Sequence, residues 1–383
     1  MAKVAVVRTA PTDEALAEAV RRCVGLLGGM GRIVRPGQRV LVKPNVVAPL
    51  ARGVTHFGIL RTIIEMVREQ GGDPFIGDCA GMEFDSDKTF SLLGFEDFAR
   101  EMGVDLVNFD RDELVCLPVS LGPVRRFAMP RSAVEADVVI NLPRLKRHSL
   151  CRVTLGVKNL MGVAAKEARR RIHVFGLHKG VALLSTLIRS DLTLIDGTTI
   201  CERPVFGIER PLGILLASRD VLAVDRVACR FLDVDSRRVR HLAWAERLSV
   251  GQGAFELVGD AAEVPPLEGT GGRLRLFGRL HRAAFWLTFA AELLYNGMTG
   301  RTLLPFANVT LGSHPVIDPD RCDRCGRCAE ACPVGAIELD RMRINYRLCQ
   351  EVRCMRCYEV CVKKAIRIKG VQRVQLDSDA NEG

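Results

Sequence analysis

The sequence predicts an α/β protein, a mostly parallel open sheet flanked by helices, followed by a small cysteine-rich α+β domain. Three observations predict it. Short apolar runs alternate with stretches of helical spacing over roughly the first 235 residues, the pattern of βαβ units. Eight of the fourteen cysteines fall between Cys322 and Cys361. Between these regions, residues 260–272 carry Pro265, Pro266, Gly269, Gly271 and Gly272, which read as a linker.

Taken in order, residues 4–8 form the first apolar run, and 13–27 carry helical spacing through Leu16, Val20, Val24 and Leu27. A strand at 39–42 precedes a helix over 56–70, with Ile59, Ile63, Met66 and Val67 on one side. Residues 74–76 are the next strand, then a helix at 88–102 and a strand at 104–108. The runs at 137–141 and 192–196 suit parallel strands buried on both faces. Residues 215–218 end the sheet, with helices at 221–232 and 239–248. The expected domains are an α/β domain over 1–259, a linker with a basic apolar helix over 260–310, a cysteine-rich domain over 311–373, and a disordered tail over 374–383. The helix at 273–295 has two readings: packing against the protein, or lying on an anionic membrane surface through Arg273, Arg275, Arg279 and Arg282.

Composition narrows the function. At 48% hydrophobic and 26% charged residues, the chain can bury a core, so disorder is excluded for most of it. No apolar stretch reaches the ~20 residues of a membrane span, and no signal-peptide pattern follows Met1. A cytoplasmic location is expected, where cysteines stay reduced unless a metal holds them.

The net charge of +10 is concentrated. Residues 141–180 hold ten basic residues against the single acid Glu167, a block that attracts anions. Phe175 is its one aromatic, which argues against nucleic acid, since single-strand binders interleave stacking aromatics. The other six cysteines (Cys23, Cys79, Cys116, Cys151, Cys201 and Cys229) are scattered and read as small buried hydrophobes. Glycines 25, 28, 29 and 31 follow a helix rather than a strand, so they fail the context of a dinucleotide loop.

The clustered cysteines form two runs. Cys322, Cys325, Cys328 and Cys332, followed by Pro333, have the C-x2-C-x2-C-x3-C-P spacing of bacterial ferredoxins. Three thiolates on a tight loop supply most of a cubane cluster, and zinc is the weaker reading of the set. Cys349, Cys354, Cys357 and Cys361 form the second run, with four residues in the first gap and Val362 where the proline would stand. In the two-cluster ferredoxins that these runs resemble, the fourth cysteine of each run ligates the other cluster. That resemblance assigns Cys322, Cys325, Cys328 and Cys361 to one 4Fe–4S cluster, and Cys349, Cys354, Cys357 and Cys332 to a second.

Polar residues gather where strands are expected to end, which is where open α/β sheets bind ligands. These are Lys43 and Asn45, Asp78, the segment Asn141 to His148 with Lys146 and Arg147, then Lys158, Asn159 and Asp196. His148, His173 and His178 could hold a metal, though no carboxylate spacing supports it.

The segments VLVKPN, GDCAG, EADVVINLPRLKRHSL, TLGVKNLMG and ASRDVLAVD together resemble the domain-of-unknown-function family 362, many members of which precede a two-cluster ferredoxin module. The resemblance covers roughly residues 4–233 and 315–369. It implies the α/β fold and the clusters, and no substrate. The expected function is a ferredoxin-type iron–sulfur oxidoreductase. Two clusters, charged by a low-potential partner protein, would pass electrons to an anionic small molecule. Lys43, Asn45, Lys146, Arg147, Lys158, Asn159 and Asp196 would bind the anion, and His148 or Asp78 would supply a proton. The alternative is a non-catalytic electron carrier or redox sensor whose basic face docks an acidic protein.

Overall fold

In a computed structural model, the described residues are 1–49, 53–82, 84–148, 150–201, 209–265, 314–346, 348–349 and 356–369. The chain divides into two compact units, one of Met1–Val47, Ala51–Met82 and Leu93–Leu274, the other of Ala48–Leu50, Glu83–Leu92 and Arg275–Gly383.

The first unit is the α/β domain. Its elements begin with β1 (Ala2–Arg8), α1 (Asp13–Leu26), β2 (Arg39–Lys43), α2 (Phe57–Glu69) and β3 (Asp73–Asp78). Helix α3 (Ser86–Leu93), most of which belongs to the second unit, is followed by α4 (Phe95–Met102) and β4 (Leu106–Asn108). Next come β5 (Leu114–Leu121), β6 (Val124–Pro130), α5 (Arg131–Val134), β7 (Val138–Asn141), β8 (Arg144–His148) and β9 (Arg152–Thr154). The rest are α6 (Gly156–Asn159), α7 (Lys166–Leu187), β10 (Leu192–Cys201), β11 (Glu209–Ser218), α8 (Val221–Phe231), α9 (Arg240–Arg247) and β12 (Phe255–Gly259).

Ten of these strands form one sheet in the order β12-β1-β11-β10-β7-β2-β3-β4, with β8 beside β10 and β9 beside β8, while β5 and β6 pair only with each other. Strands β10, β7, β2, β3 and β4 run parallel, as do β1 and β12. Strand β11 is antiparallel to both of its neighbours. Strand β1 is buried on both faces, so it carries Val4, Ala5, Val6 and Val7 in unbroken succession, all at 1% exposure or less.

Sequence and structure differ in detail. The helix expected over 88–102 breaks at Gly94, whose φ of 81° ends α3 and starts α4. The strand expected at 104–108 begins at Leu106, the one at 192–196 continues to Cys201, and the one at 215–218 begins at Glu209. Helix α7 and the β5–β6 hairpin have no counterpart among the expected elements. In α7, Gly176 leaves helical geometry at φ 152° and ψ 79°. Of the scattered cysteines, Cys23, Cys79, Cys151 and Cys229 are buried and Cys116 is exposed. The side chain of Cys201, Cys354, the helix at 273–295 and the tail at 374–383 lie outside the described residues. Among the described residues, no helix is long and apolar enough to cross a membrane.

The second unit contains two small antiparallel pairs. Strand β13 (His314–Ile317) pairs with β16 (Ile366–Lys369), and β14 (Ile337–Glu338) with β15 (Arg343–Ile344). Two one-turn helices, α10 (Arg327–Glu330) and α11 (Arg356–Glu359), pack on each other.

The short helix α6 starts without a capping residue of its own. Its first two N–H groups, at Gly156 and Val157, instead donate to the two oxygens of Asp225 on α8, at 2.7 and 2.9 Å. Burial pushes the Asp225 carboxyl up to about 7 despite those bonds. Asp225→Ala should strand two buried donors at roughly 1–3 kcal/mol each, a loss of several degrees in thermal midpoint. A carboxyl raised above its unfolded value of roughly 3.9 favours folding most below that pH and loses the contribution as pH rises through about 7. Denaturant unfolding followed by circular dichroism should therefore show a decline over that window in the wild type that the variant lacks.

Candidate functional site

Strands β2 and β3 lie side by side, so their last residues, Lys43 and Asp78, emerge together. Lys43 Nζ donates to Asp78 Oδ1 at 2.9 Å and to the Pro44 carbonyl at 3.0 Å, and both side chains are 1% exposed. Asp78 also accepts from the backbone N–H of Cys79 at 2.8 Å and of Val46 at 3.0 Å. Burial raises the Asp78 carboxyl, and Lys43 and the two N–H groups offset this only in part. The Cys79 thiol, pushed up to about 12 by burial, donates to the Gly162 carbonyl at 3.2 Å.

Beside this pair runs a chain of amides. Asn45 Nδ2 donates to Asn159 Oδ1 at 2.7 Å, and Asn159 Nδ2 donates to Asn141 Oδ1 at 2.8 Å and to the Pro44 carbonyl at 3.1 Å. Asn141 Nδ2 closes onto the Gly156 carbonyl at 3.0 Å. Thr55 accepts from the Asn45 N–H at 2.8 Å and donates to the Leu142 carbonyl at 2.6 Å. All four side chains are buried. Asn45 Oδ1 is buried with no hydrogen-bond partner among the described residues, an acceptor that a ligand could satisfy.

A third group surrounds β8. Lys146 Nζ, 2% exposed, donates to the Gly53 carbonyl at 3.2 Å. His148 Nδ1 accepts from the Leu150 and Cys151 N–H groups, both at 3.1 Å. A proton on Nδ1 would break both bonds, so the neutral ring carries its proton on Nε2. Burial, then the charges of Lys158 and Lys146, hold His148 well below the usual histidine range. At neutral pH it is thus a hydrogen-bond donor through Nε2.

The remaining expected residues are spread differently. Asp196 pairs with Arg144 at 2.6 Å and accepts from the His56 N–H at 3.0 Å and from the Thr198 hydroxyl at 2.7 Å. Burial alone would raise its carboxyl, but Arg144 and these bonds hold it below the ordinary value. Arg147 donates to the Leu232 carbonyl, which points it toward the end of α8. Nothing in the sequence singles out Asn141, Thr55 or Arg144 as members of these networks, although Asn141 and Arg144 stand within the strand-end segment. Arg169, 4% exposed, pairs with Asp110 and donates to the Ala80 carbonyl.

In the second unit, Cys328 and Cys357 are buried and pack with Ile366, with Cys361 against them. Burial raises the Cys328 thiol, and Cys322 and Cys361 add to the rise. Burial raises the Tyr346 hydroxyl, and Cys349 and Cys357 add to the rise. The seven described cysteines of the two runs are in no disulfide. Soft thiolate donors gathered in this way fit an iron–sulfur cluster. The two halves share a local device. Gly335 and Lys364 both adopt left-handed backbone, at φ 58° and 51°. The N–H that follows each donates to the preceding cysteine sulfur: Ala336 to Cys332 at 3.2 Å and Ala365 to Cys361 at 3.1 Å. Such bonds to sulfur tune cluster potential.

Comparison with known proteins agrees with this arrangement. Residues 40–230 match the model of the domain of unknown function (DUF362), and residues 315–338 match a 4Fe-4S binding domain. Over 254 residues the chain is 33% identical to the thylakoid-associated protein sll1697 of Synechocystis sp., covering 63% of this chain and 78% of that one. The chain belongs to the DUF362 family. Its C-terminal region is also 42% identical over 65 residues to the uncharacterized ferredoxin MJ0155 of Methanocaldococcus jannaschii, which is 16% of this chain and 43% of that one. Among solved structures, the lactate racemase apoprotein from Thermoanaerobacterium thermosaccharolyticum aligns with TM-score 0.40 at 12% identity, over 65% of this chain and 57% of that one. This DUF362 protein therefore joins an α/β domain to a 4Fe-4S binding domain whose role is iron–sulfur electron transfer.

Two substitutions test the geometry. A Cβ on Gly162 would lie 2.2 Å from Asp78 Oδ1 and 2.9 Å from Lys43 Nζ. Gly162→Ala should force the ion pair apart and destabilise the α/β domain by about 1–3 kcal/mol, measured by denaturant unfolding. In the second unit, a Cβ added to Gly335 would meet nothing within 4 Å, so Gly335→Ala should cost only the left-handed strain, about 1 kcal/mol. Lys364→Gly should recover a similar amount. Loss of cluster absorbance on heating reports both.

Proposed function

We propose that this DUF362 protein is an iron–sulfur oxidoreductase in which two 4Fe–4S clusters pass electrons, one at a time, to an anionic small molecule bound at the strand ends of the α/β domain. The observation that carries the reading is the inward turn of the basic block. Arg144 and Arg169 are buried on Asp196 and Asp110, but Lys146, 2% exposed, is buried beside His148, and a solvated face would not bury its cations. Cations withdrawn from water beside amides and a neutral histidine suit a bound carboxylate or phosphate. In this reading Lys146 and Lys158 attract the anion, Asn45 Oδ1 accepts a hydrogen bond from it, and His148 Nε2 donates one. The Lys43–Asp78 pair sets the floor of the site, and the proton that Lys43 Nζ shares with Asp78 Oδ1 is the one passed to the substrate.

The second reading is an electron carrier, favoured by the likeness of the C-terminal region to a ferredoxin. A relative described as thylakoid-associated adds peripheral membrane contact, with a cytoplasmic location otherwise expected. An acidic or low-potential partner protein would then dock on the exposed cations, such as Arg152 and Arg171.

Anaerobically purified protein should contain about eight iron atoms, as two cubane clusters require. Reduced protein mixed with pooled metabolite anions should reoxidise, seen as returning absorbance. Lys158→Ala should leave iron content unchanged and weaken the anion roughly ten- to a hundredfold, from about 1.5–3 kcal/mol per charge-assisted bond. A variant that differs from wild type only in salt sensitivity would instead mark a docking face and the carrier reading.

A further inference from the structure

Four of the seven histidines of the sequence, His148, His173, His178 and His241, lie on β8, α7 and α9 of the α/β domain. The third and fourth, on α7 and α9, stack with ring centroids 6.3 Å apart and an interplanar angle of 3°. Cys151, in the turn between β8 and β9, completes a trio. One ligand atom from each of Cys151, His178 and His241 lies within 4.8 Å of the other two.

We propose that Cys151, His178 and His241 bind a zinc ion, with the fourth coordination position left for water or an anion. Two imidazoles and a thiolate are donors zinc accepts, and three protein ligands with one open position is the pattern of catalytic rather than structural zinc. A tetrahedral zinc with bonds of about 2.0–2.3 Å spaces its ligand atoms roughly 3.5 Å apart. With all three ligand atoms within 4.8 Å of one another, only a small closure separates the trio from that spacing.

A second observation is independent of the spacing. His241 is 0% exposed, yet neither of its ring nitrogens has a hydrogen-bond partner among the described residues. A buried imidazole normally donates one N–H to a carbonyl or carboxylate, and leaving both nitrogens unmet costs roughly 1–3 kcal/mol each. An ion on one nitrogen removes half of that cost. A third iron–sulfur cluster does not suit the trio, because it offers a single thiolate. The Lys158 charge, felt by both Cys151 and His241, opposes a dication, and the Cys151 thiolate offsets it. The site is separate from the proposed anion pocket in its test, since zinc content can be read without any substrate.

The full chain, purified anaerobically with its clusters, would be dialysed against micromolar zinc and then metal-free buffer. Elemental analysis should find about one zinc per chain beside the iron. Zinc-edge X-ray absorption, which iron does not obscure, should give one sulfur near roughly 2.3 Å and two nitrogens near roughly 2.0 Å. His241→Phe and Cys151→Ser should each lose the zinc while iron content and circular dichroism stay as in the wild type. Should either variant misfold, the wild-type absorption spectrum decides alone. An all-sulfur shell, which would put zinc on the clustered cysteines, overturns the proposal. So does retention of zinc in both variants, or the absence of zinc from the wild type.

Discussion

Taking a lysine and a carboxylate out of water costs several kcal/mol for each ion, and such a pair persists only where further hydrogen bonds meet the lone pairs and protons that remain. Lys43 and Asp78 satisfy that condition. Parallel neighbours β2 and β3 deliver the two side chains to one point, and the chain segments leaving both strands then bond to them through Pro44, Val46 and Cys79. Gly162 follows from the same constraint, because its missing side chain leaves room for the carboxylate. With that clamp in place, the loop after β2 runs past Asn159 and Asn141, and the amide chain becomes possible. The polar residues at the strand ends are therefore one connected structure rather than independent contacts.

The same logic accounts for the charge distribution. Arg144 neutralises Asp196, Arg169 neutralises Asp110, and Lys43 neutralises Asp78. Each pair ties a strand or helix end to another element, so part of the basic block is structural. What is left for a ligand around β8 is smaller than the formal charge suggests, and it is placed beside a histidine kept neutral by its surroundings.

The inner parallel strands were legible because burial on both faces demands unbroken apolar runs, as at Val40–Val42 and Val138–Ile140. The cysteine runs were legible because cluster ligation fixes their spacing. Strand direction was not: nothing in the Leu215–Ser218 run distinguishes an antiparallel neighbour from a parallel one. Helix α7 hid behind Arg169, Arg170 and Arg171, which blur its apolar stripe, and behind the break at Gly176. The strand-end residues could be gathered by position, but their bonds could not, since Lys43 and Asp78 read equally well as ligand-binding groups and as partners of each other. Cys151 sits in a turn and His178 and His241 on two different helices, so no local motif joins them. The sequence pointed instead to His148, His173 and His178.

The placement of β1 has a consequence for how the protein is made. This first strand hydrogen-bonds to β11 on one side and β12 on the other, so neither edge is covered until residues 209–259 have been synthesised. At roughly 5–20 residues per second, the newly made Val4–Val7 segment waits about 10–50 s on the ribosome with both edges open. During translation a segment that is fully enclosed in the finished sheet is the one longest in need of a chaperone.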